Sequence, residues 1–516
     1  MVENDVEKVE KIISLCKRRG IIFPNSEIYG TFAGFFDYGN YGSELKRNVE
    51  SSWWKHFVNE RGDMVGIDGS IITHPDVWKA SGHLESFNDP LVECKKCKKK
   101  FRADHLVETE LKISVDGLSE KHLEELIEKH KIKCPECKGE LKFIQPFNLM
   151  FKTSVGAETG TGTVAYLRPE TAQVIFTNFK IVQQAARKKL PFGIAQIGKA
   201  FRNEISPRNF VFRAREFDQM EIEYFIHPKK MDSCEFLTNE HLKYELNVLT
   251  AEAQSKDKSH QKMKIKYLLN EKIMKTPWHA FWIVECMKWF EKIGIKKENL
   301  RIREHTKNEL SHYSSETWDI EYNFPWGWKE LEGIANRTDF DLKQHMKFTK
   351  SDLNYFDEET KEKVVPFVIE PSFGLDRTIM VLLLDAYREE KDEKTKEIKV
   401  KLKLHPEISP VTVAIFPLMK KDGLAEKARE VFEMLKTEFV CEYDEAGSIG
   451  KRYARADEVG TPWAVTIDYD TLRGKTVTLR NRDTTEQIRV KISELEKSIT
   501  KLMNNEAKLK DLGKII

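Results

Sequence analysis

The sequence predicts an α+β protein carrying a separate C-terminal α/β domain, and three patterns predict it. Two β-patterned runs flank the loop ISPRNFVF within residues 193–228, which makes a long antiparallel hairpin. Two C-x-x-C pairs, Cys94/Cys97 and Cys134/Cys137, mark a metal-binding insertion. From Ser409 onward, strand-like and helix-like runs alternate for about 100 residues, as in a compact α/β unit.

At roughly 150 residues per domain, a chain of 516 residues makes about three or four domains. Hydrophobic residues make up 40% and charged ones 33%, which excludes disordered, collagenous and coiled-coil chains. Ile379 to Leu384, the longest apolar stretch near a helix pattern, is far short of the roughly 20 residues of a membrane span. No membrane partner is expected. The charged N-terminus, MVENDVEKVEKIISLCKRRG, has no secretory core, so a cytoplasmic location is expected. Lys and Arg total 85 against 83 Asp and Glu, a net +2, which excludes a uniformly basic coat for DNA or RNA but not a local basic face.

Taken in order, residues 1–90 open with a helix and pass into the turn-rich GTFAGFFDYGNYGSELKRNVESSWW. Residues 91–145 hold the cysteine pairs, with KHLEELIEKH between them reading as helix. Residues 146–405 alternate β-like runs with helices, and about 228–300 within them reads as a helical, lysine-rich excursion. Residues 406–516 read as three strands alternating with two helices, then a hairpin and a terminal helix, built on a mostly parallel sheet. Lys451, Arg452, Arg455, Arg473, Lys475, Arg480 and Arg482 cluster there, a pattern that suits a solvated face as well as an RNA-binding one.

Eight cysteines in so long a chain are not a disulfide scaffold. The turns ECKKCKK and KCPECKGE each present two thiolates, which neighbouring lysines favour. Cys94, Cys97, Cys134 and Cys137 together complete a closed tetrahedral Zn²⁺ site, structural because four thiolates leave no open position.

The hairpin carries the chemistry. Strand period puts Arg202 and Glu204 on one face, and Arg213, Arg215, Phe217, Gln219 and Glu221 on one face of the return strand. Guanidinium for phosphate, a flat ring for a base and carboxylates for amino groups suit a nucleotide; cross-strand salt bridges are the plainer alternative. VVPFVIEPSFGLDRTIMVLLLDAY then reads as strand, turn at Gly374 and buried helix. Arg377 falls in the first turn of that helix, where the dipole is positive, so its placement requires an anionic or π partner.

FRNE followed by Arg213-x-x-x-Phe217 resembles motif 2 of the class II aminoacyl-tRNA synthetases, and GLDR resembles the core of their motif 3. FDYGNYGSELKRNVESSWW, KASGHLESFNDPLVECKKC, YLRPETAQ, QIGKAFRNEISPRNF, HYSSETWDIEYNFPWGWKELEGIANRTDFDL and VIEPSFGLDR are similar to the homodimeric glycyl-tRNA synthetases, from about Phe23 to the C-terminus. The resemblance implies an antiparallel-sheet catalytic domain flanked by helices, with motif 1 in residues 1–90 and motifs 2 and 3 in 146–405. It also implies a zinc-binding insertion and a C-terminal anticodon-binding domain. The substrates implied are glycine, ATP with Mg²⁺, and tRNA(Gly).

By the same resemblance Arg202 contacts the ATP α-phosphate and Glu204 the adenine edge. Phe217 stacks under adenine with Arg377 over it near the γ-phosphate, and Arg213 reaches the terminal phosphates. Arg202, Glu204 and Arg377 make the catalytic set. Glu330 is the Mg²⁺ ligand, with Glu332 a lesser candidate. Glycine sits among Glu170, Glu221, Glu370 and Ser372, with Arg337 nearby. The chemistry agrees: the attacking carboxylate is already ionised, so positioning and phosphate neutralisation are what the protein supplies. Two positions depart from the family pattern: Asn40 replaces a proline in D-Y-G-P, and Val174 replaces a glycine. A class IIa synthetase for another amino acid and a catalytically dead relative are the competing readings; the glycine-type segments and the intact motif residues argue against them.

Overall fold

The computed structural model describes residues 2–113, 115, 118–156, 162–311, 313–391 and 396–516, with side chains from residue 7 onward. Two helices, α1 (Val2–Arg19) and α2 (Asn40–Trp54), precede a short strand, β1 (Met64–Gly66). Asn40 is the first residue of α2 and is exposed, and its side-chain oxygen lies 2.7 Å from where a Cβ on Gly20 would stand.

The cysteine insertion is a small sheet with its own core. Strands β2 (Asn88–Cys94), β3 (Lys100–Arg102) and β4 (Leu141–Asn148) pair antiparallel in the order β3-β2-β4. Helices α3 (Ala103–Leu111) and α4 (Glu120–Lys129) pack with them. In α4, Leu123 and Ile127 are one turn apart and both buried against Val92 and Val107.

Helix α5 (Ala172–Ala185) leads into the hairpin of β5 (Phe192–Phe201) and β6 (Glu216–Ile226), paired from Phe192↔Phe225 to Phe201↔Glu216. The strands are shorter than their sequence pattern. Arg202 and Glu204 lie beyond β5, and Arg213 and Arg215 lie before β6. Asn209 and Phe210 take left-handed φ angles of 58° and 55°, and the tight turn Phe210–Phe212 carries the chain out of the ladder.

Residues 228–300 hold four helices (Asn239–Lys243, Ala251–Ser255, Ile265–Asn270 and Pro277–Lys292), as expected, but are not helical throughout and do not stand apart from the sheet. Strands β7 (Glu245–Leu249) and β8 (Gln261–Lys264) extend the main sheet, and α6 (Pro277–Lys292) packs in its core. β8 is an edge strand, and lysines on an edge discourage further pairing, so this run of lysine does not signal helix. α6 buries most of its surface, Trp278, Trp282 and Trp289 included, and keeps a narrow polar stripe of Glu285, Lys288 and Lys292, the pattern of a core helix with one open edge.

The catalytic block continues with β9 (Leu300–Glu304), β10 (Glu316–Phe324), β11 (Gly327–Thr338), α7 (Phe340–Thr349), β12 (Phe367–Gly374) and α8 (Leu375–Ala386). The nine-stranded sheet runs β8-β7-β9-β10-β11-β12-β6-β5-β1, antiparallel except for β7/β9 and β5/β1. Alternation along β6 divides it: Met220, Ile222 and Tyr224 join the aromatic core of α2, α6 and α8. Glu221, Glu223 and Phe225 face the other way, and Phe225 packs with α5 and α7.

The C-terminal unit contains β13 (Val413–Pro417), α9 (Leu424–Leu435), β14 (Cys441–Tyr443), α10 (Ile449–Val459), β15 (Trp463–Ile467), α11 (Tyr469–Gly474), β16 (Thr476–Asn481), β17 (Gln487–Lys491) and α12 (Ile492–Met503). Its sheet order is β14-β13-β15-β16-β17. Only β14/β13 and β13/β15 are parallel; the hairpin strands make the other two pairings antiparallel, so the sheet is mixed.

Candidate active site

Arginines gather where β5 and β6 leave their ladder. Arg202 donates from Nε to the Pro169 carbonyl (3.1 Å), and its guanidinium lies 5.2 Å from the Phe217 ring and 5.4 Å from Phe87. Arg377 has both partners that its helix position demands. It rests 4.7 Å from the Phe212 ring and 3.3 Å from the Glu330 carboxylate, and donates to the carbonyls of Phe212 (3.2 Å) and Glu330 (3.0 Å). Although its partial burial opposes ionisation of Glu330, Arg377 outweighs it and holds the carboxyl below its ordinary range.

Glu330 is half-exposed, and a single open carboxylate suits an ion that arrives on triphosphate with much of its water shell, as Mg²⁺ does. Glu332 does not join it. A β-bulge between the Ile320↔Glu332 and Glu321↔Glu330 pairings breaks the alternation, so Glu332 turns into the core. It is fully buried, and burial holds its carboxyl well above the ordinary range.

The insertion reaches this same end. Arg213 Nη1 donates to His105 Nε2 (2.6 Å), and Arg102 lies 3.6 Å from Glu204. Burial, reinforced by the Arg102 charge, pushes His105 down to about 3, so it is a neutral acceptor for Arg213. Arg215 donates to the Glu204 carbonyl (2.8 Å) and fixes the turn between them.

Further along the same face lies an acid cluster. Glu221 accepts from the Thr171 N–H (2.8 Å) and hydroxyl, from Gln219 Nε2 (2.9 Å) and from Ser372 Oγ (2.7 Å). Glu170 lies 3.3 Å from His83 and 3.1 Å from Gln173 Nε2. Arg337 binds Glu370 through Nη1 (2.9 and 3.0 Å) and Asp341 through Nε and Nη2 (2.8 and 2.9 Å), with the Tyr313 ring 4.0 Å from its guanidinium. Burial works against ionisation of Glu170, but His83 and Arg337 prevail and hold it low. Burial, partly opposed by Arg337, pushes Glu370 up to about 8; burial and then Glu170 raise Glu221. Carboxyls outnumber cations here, which is the arrangement of an amine-binding site.

All of the sequence-predicted polar residues except Glu332 therefore lie along one face. His83, His105, Asp341 and Tyr313 escape sequence reading because they come from separate loops and helices. Glu223 was legible, since it stands two residues beyond Glu221 on the same strand face. Val174 packs where the sequence departs from its family: its Cγ1 lies 2.1 Å from where a Cβ on Gly69 would stand, so a glycine opposite makes room for it.

The four paired cysteines converge, with their sulfurs all within 4.8 Å of one another. Cys94 and Cys137 sulfurs are 3.4 Å apart and Cys97 and Cys134 3.7 Å. A tetrahedron with Zn–S of about 2.3 Å has edges of about 3.8 Å, so the donor set fits. Two matching turns build it: Cys94 N–H bonds Lys99 O and Cys134 N–H bonds Gly139 O, both 2.9 Å. A Cβ at Gly139 would stand 2.9 Å from the Cys94 sulfur, so that position requires glycine.

The C-terminal basic cluster divides. Arg452 is buried and bonded to the carbonyls of Pro417, Leu418 and Gly447; Arg482 is buried and bonded to those of Gly460 and Leu404. Arg480 makes a two-pronged bond to Asp457 (2.8 and 2.9 Å), and Arg455 pairs with Asp444. These four are scaffold, which corrects the expectation of one basic face. Lys451, Arg473 and Lys475 remain exposed.

Two family models match the chain: tRNA synthetase class II core domain (G, H, P, S and T) over residues 157–277, and anticodon binding domain over residues 412–502. The glycine–tRNA ligase of Caldanaerobacter subterraneus subsp. tengcongensis is 48% identical over 496 residues, covering 95% of this chain and 97% of that one. The glycine–tRNA ligase of Acetivibrio thermocellus is 48% identical over 493 residues, covering 94% and 96%.

Proposed function

This chain belongs to the glycine–tRNA ligase family of class II aminoacyl-tRNA synthetases, and from that premise we propose how its residues divide the work. It activates glycine with ATP to glycyl-adenylate, releasing pyrophosphate, and then transfers glycine to the 3′ end of tRNA(Gly).

The acid cluster binds the glycine ammonium through Glu170, Glu221 and Glu370, with Ser372 positioning Glu221 and Arg337 fixing Glu370. Arg202 and Phe217 take the α-phosphate and adenine, and Glu204 takes the adenine edge. Arg213 and Arg377 take the outer phosphates. Glu330 holds the Mg²⁺ that accompanies ATP, which neutralises phosphate charge when bound. The glycine carboxylate attacks the α-phosphorus as pyrophosphate leaves, and the arginines stabilise charge developing on the phosphate oxygens. Glycine offers no side chain to grip, so alanine is excluded by shape. A structural Zn²⁺ at the four cysteines holds the insertion, and through His105 and Arg102 it steadies Arg213 and Glu204.

The C-terminal unit reads the anticodon. A homodimer is part of this reading, and the exposed Ile28, Tyr29 and Phe32 in the loop before α2 offer it an apolar surface. The location is cytoplasmic; among the described residues no helix is long and apolar enough to cross a membrane.

The observation that carries the assignment is the set of carboxyls in excess over cations, adjoining the arginines on one sheet face. Amino-acid-dependent ATP–pyrophosphate exchange over all twenty amino acids tests it. Exchange with glycine alone is expected; exchange with another amino acid overturns the glycine site.

A further inference from the structure

Glu223 has no part in the roles above, yet it is the most isolated acid on that face. It is fully buried on β6, and neither carboxyl oxygen has a hydrogen-bond partner among the described residues. Burial without a partner strongly disfavours the ionised form of a carboxyl.

The surrounding charges explain which group gives way. Glu221 comes from its own strand, Glu370 from β12, Arg337 from the end of β11 and Asp341 from α7. Arg337 is the one guanidinium among them, and its recorded bonds go to Glu370 and Asp341, with none to Glu223. Glu170, the next carboxyl, has its own neighbour in His83, 3.3 Å away. His345 on α7 bonds Gln173, and burial keeps it neutral, so it adds no charge. On the β5 side the register partner of Glu223 is Ile194, which is apolar. An ionised Glu223 would therefore stand beside an ionised Glu370 with no cation of its own.

We propose that Glu223 and Glu370 hold one proton between them in the glycine-free enzyme and release it when the glycine ammonium enters, so that glycine binding is coupled to proton release. This rests on the glycine-site reading above and deepens it. The ammonium brings the positive charge that lets both carboxyls ionise, and the proton leaves to solvent. Glu223 is then a positioning residue: the shared proton trims the pocket's excess negative charge until the amine arrives. Burial, only partly opposed by Arg337, sets Glu370 at about 8, and burial with Glu370 beside it holds Glu223 well above the ordinary range.

Calorimetric titration of glycine into the full-length enzyme, at pH 7 in phosphate and in Tris, counts the protons exchanged. The wild type is expected to release a substantial fraction of a proton, up to about one, per glycine, and its affinity to rise between pH 6 and 8 by at most about tenfold per unit. Glu223→Gln is expected to bind glycine within a few-fold at pH 7.5 while the buffer dependence disappears; a packing role alone would leave the proton count unchanged. Buffer-independent heats with a flat pH profile in the wild type overturn the coupling while leaving the glycine site intact. Full proton release by Glu223→Gln overturns the role of Glu223. Absence of glycine binding by the wild type sinks the site reading and the proposal together. Should Glu223→Gln not fold, the wild-type buffer and pH series decides alone.

Discussion

The acid cluster of the catalytic sheet and the arginines of the C-terminal unit are both buried charge, but they are balanced differently. In the C-terminal unit the buried guanidiniums are held by Asp457 at Arg480 and by backbone carbonyls at Arg452 and Arg482, with Arg452 Nε left without a partner among the described residues. In the catalytic sheet Arg337 is shared by Glu370 and Asp341, while Glu223 has no partner among the described residues. Satisfied charge fixes a fold, and unsatisfied charge stores an affinity for something not yet bound.

The largest effect expected from that contrast is structural. Asp457→Ala strands Arg480 in a buried site and should destabilise the C-terminal unit by about 3–5 kcal/mol. Denaturant melting should show it, with glycine-dependent exchange retained and tRNA charging lost. A loss of exchange equal to the loss of charging would mean that the two units do not separate in this way.

The mirror change is Glu221→Gln. It removes a charge from the amine site and should lower kcat/KM for glycine in exchange by about 10²-fold or more, near 3 kcal/mol. Its stability should hold or rise, because burial and Glu170 already raise the Glu221 carboxyl. A melting temperature that fell together with activity would put Glu221 in the same class as Asp457 and erase the distinction.

Legibility in the sequence followed the same division. The hairpin, the Gly374 turn and the four cysteines announce themselves through period and spacing, and Arg377 could be assigned its partners from its place at a helix start. Glu332 was misread because the bulge that reverses its face leaves no mark on a pattern of two. The lysines of β8 were misread because an edge strand and a solvated helix spend lysine alike. Arg452, Arg480 and Arg482 were misread because a sequence shows charge but not burial, and their partners lie on distant strands and loops.

What remains of the basic cluster gives the smallest and most diagnostic effect. Arg473, at the end of α11, and Lys475 just beyond it are exposed and make no ion pair among the described residues, with Tyr469 and Leu472 exposed beside them. Free cations next to exposed flat and apolar side chains are what a nucleic-acid strand engages, through phosphate charge and base stacking. Arg473→Glu with Lys475→Glu should raise KM for tRNA(Gly) by about tenfold or more and reduce the salt slope of binding by about two, one for each cation removed. Glycine-dependent exchange and melting temperature should not move, since neither side chain holds anything else in place. An unchanged KM for tRNA would return these two residues to an ordinary solvated face and leave the anticodon surface to be sought elsewhere on the domain.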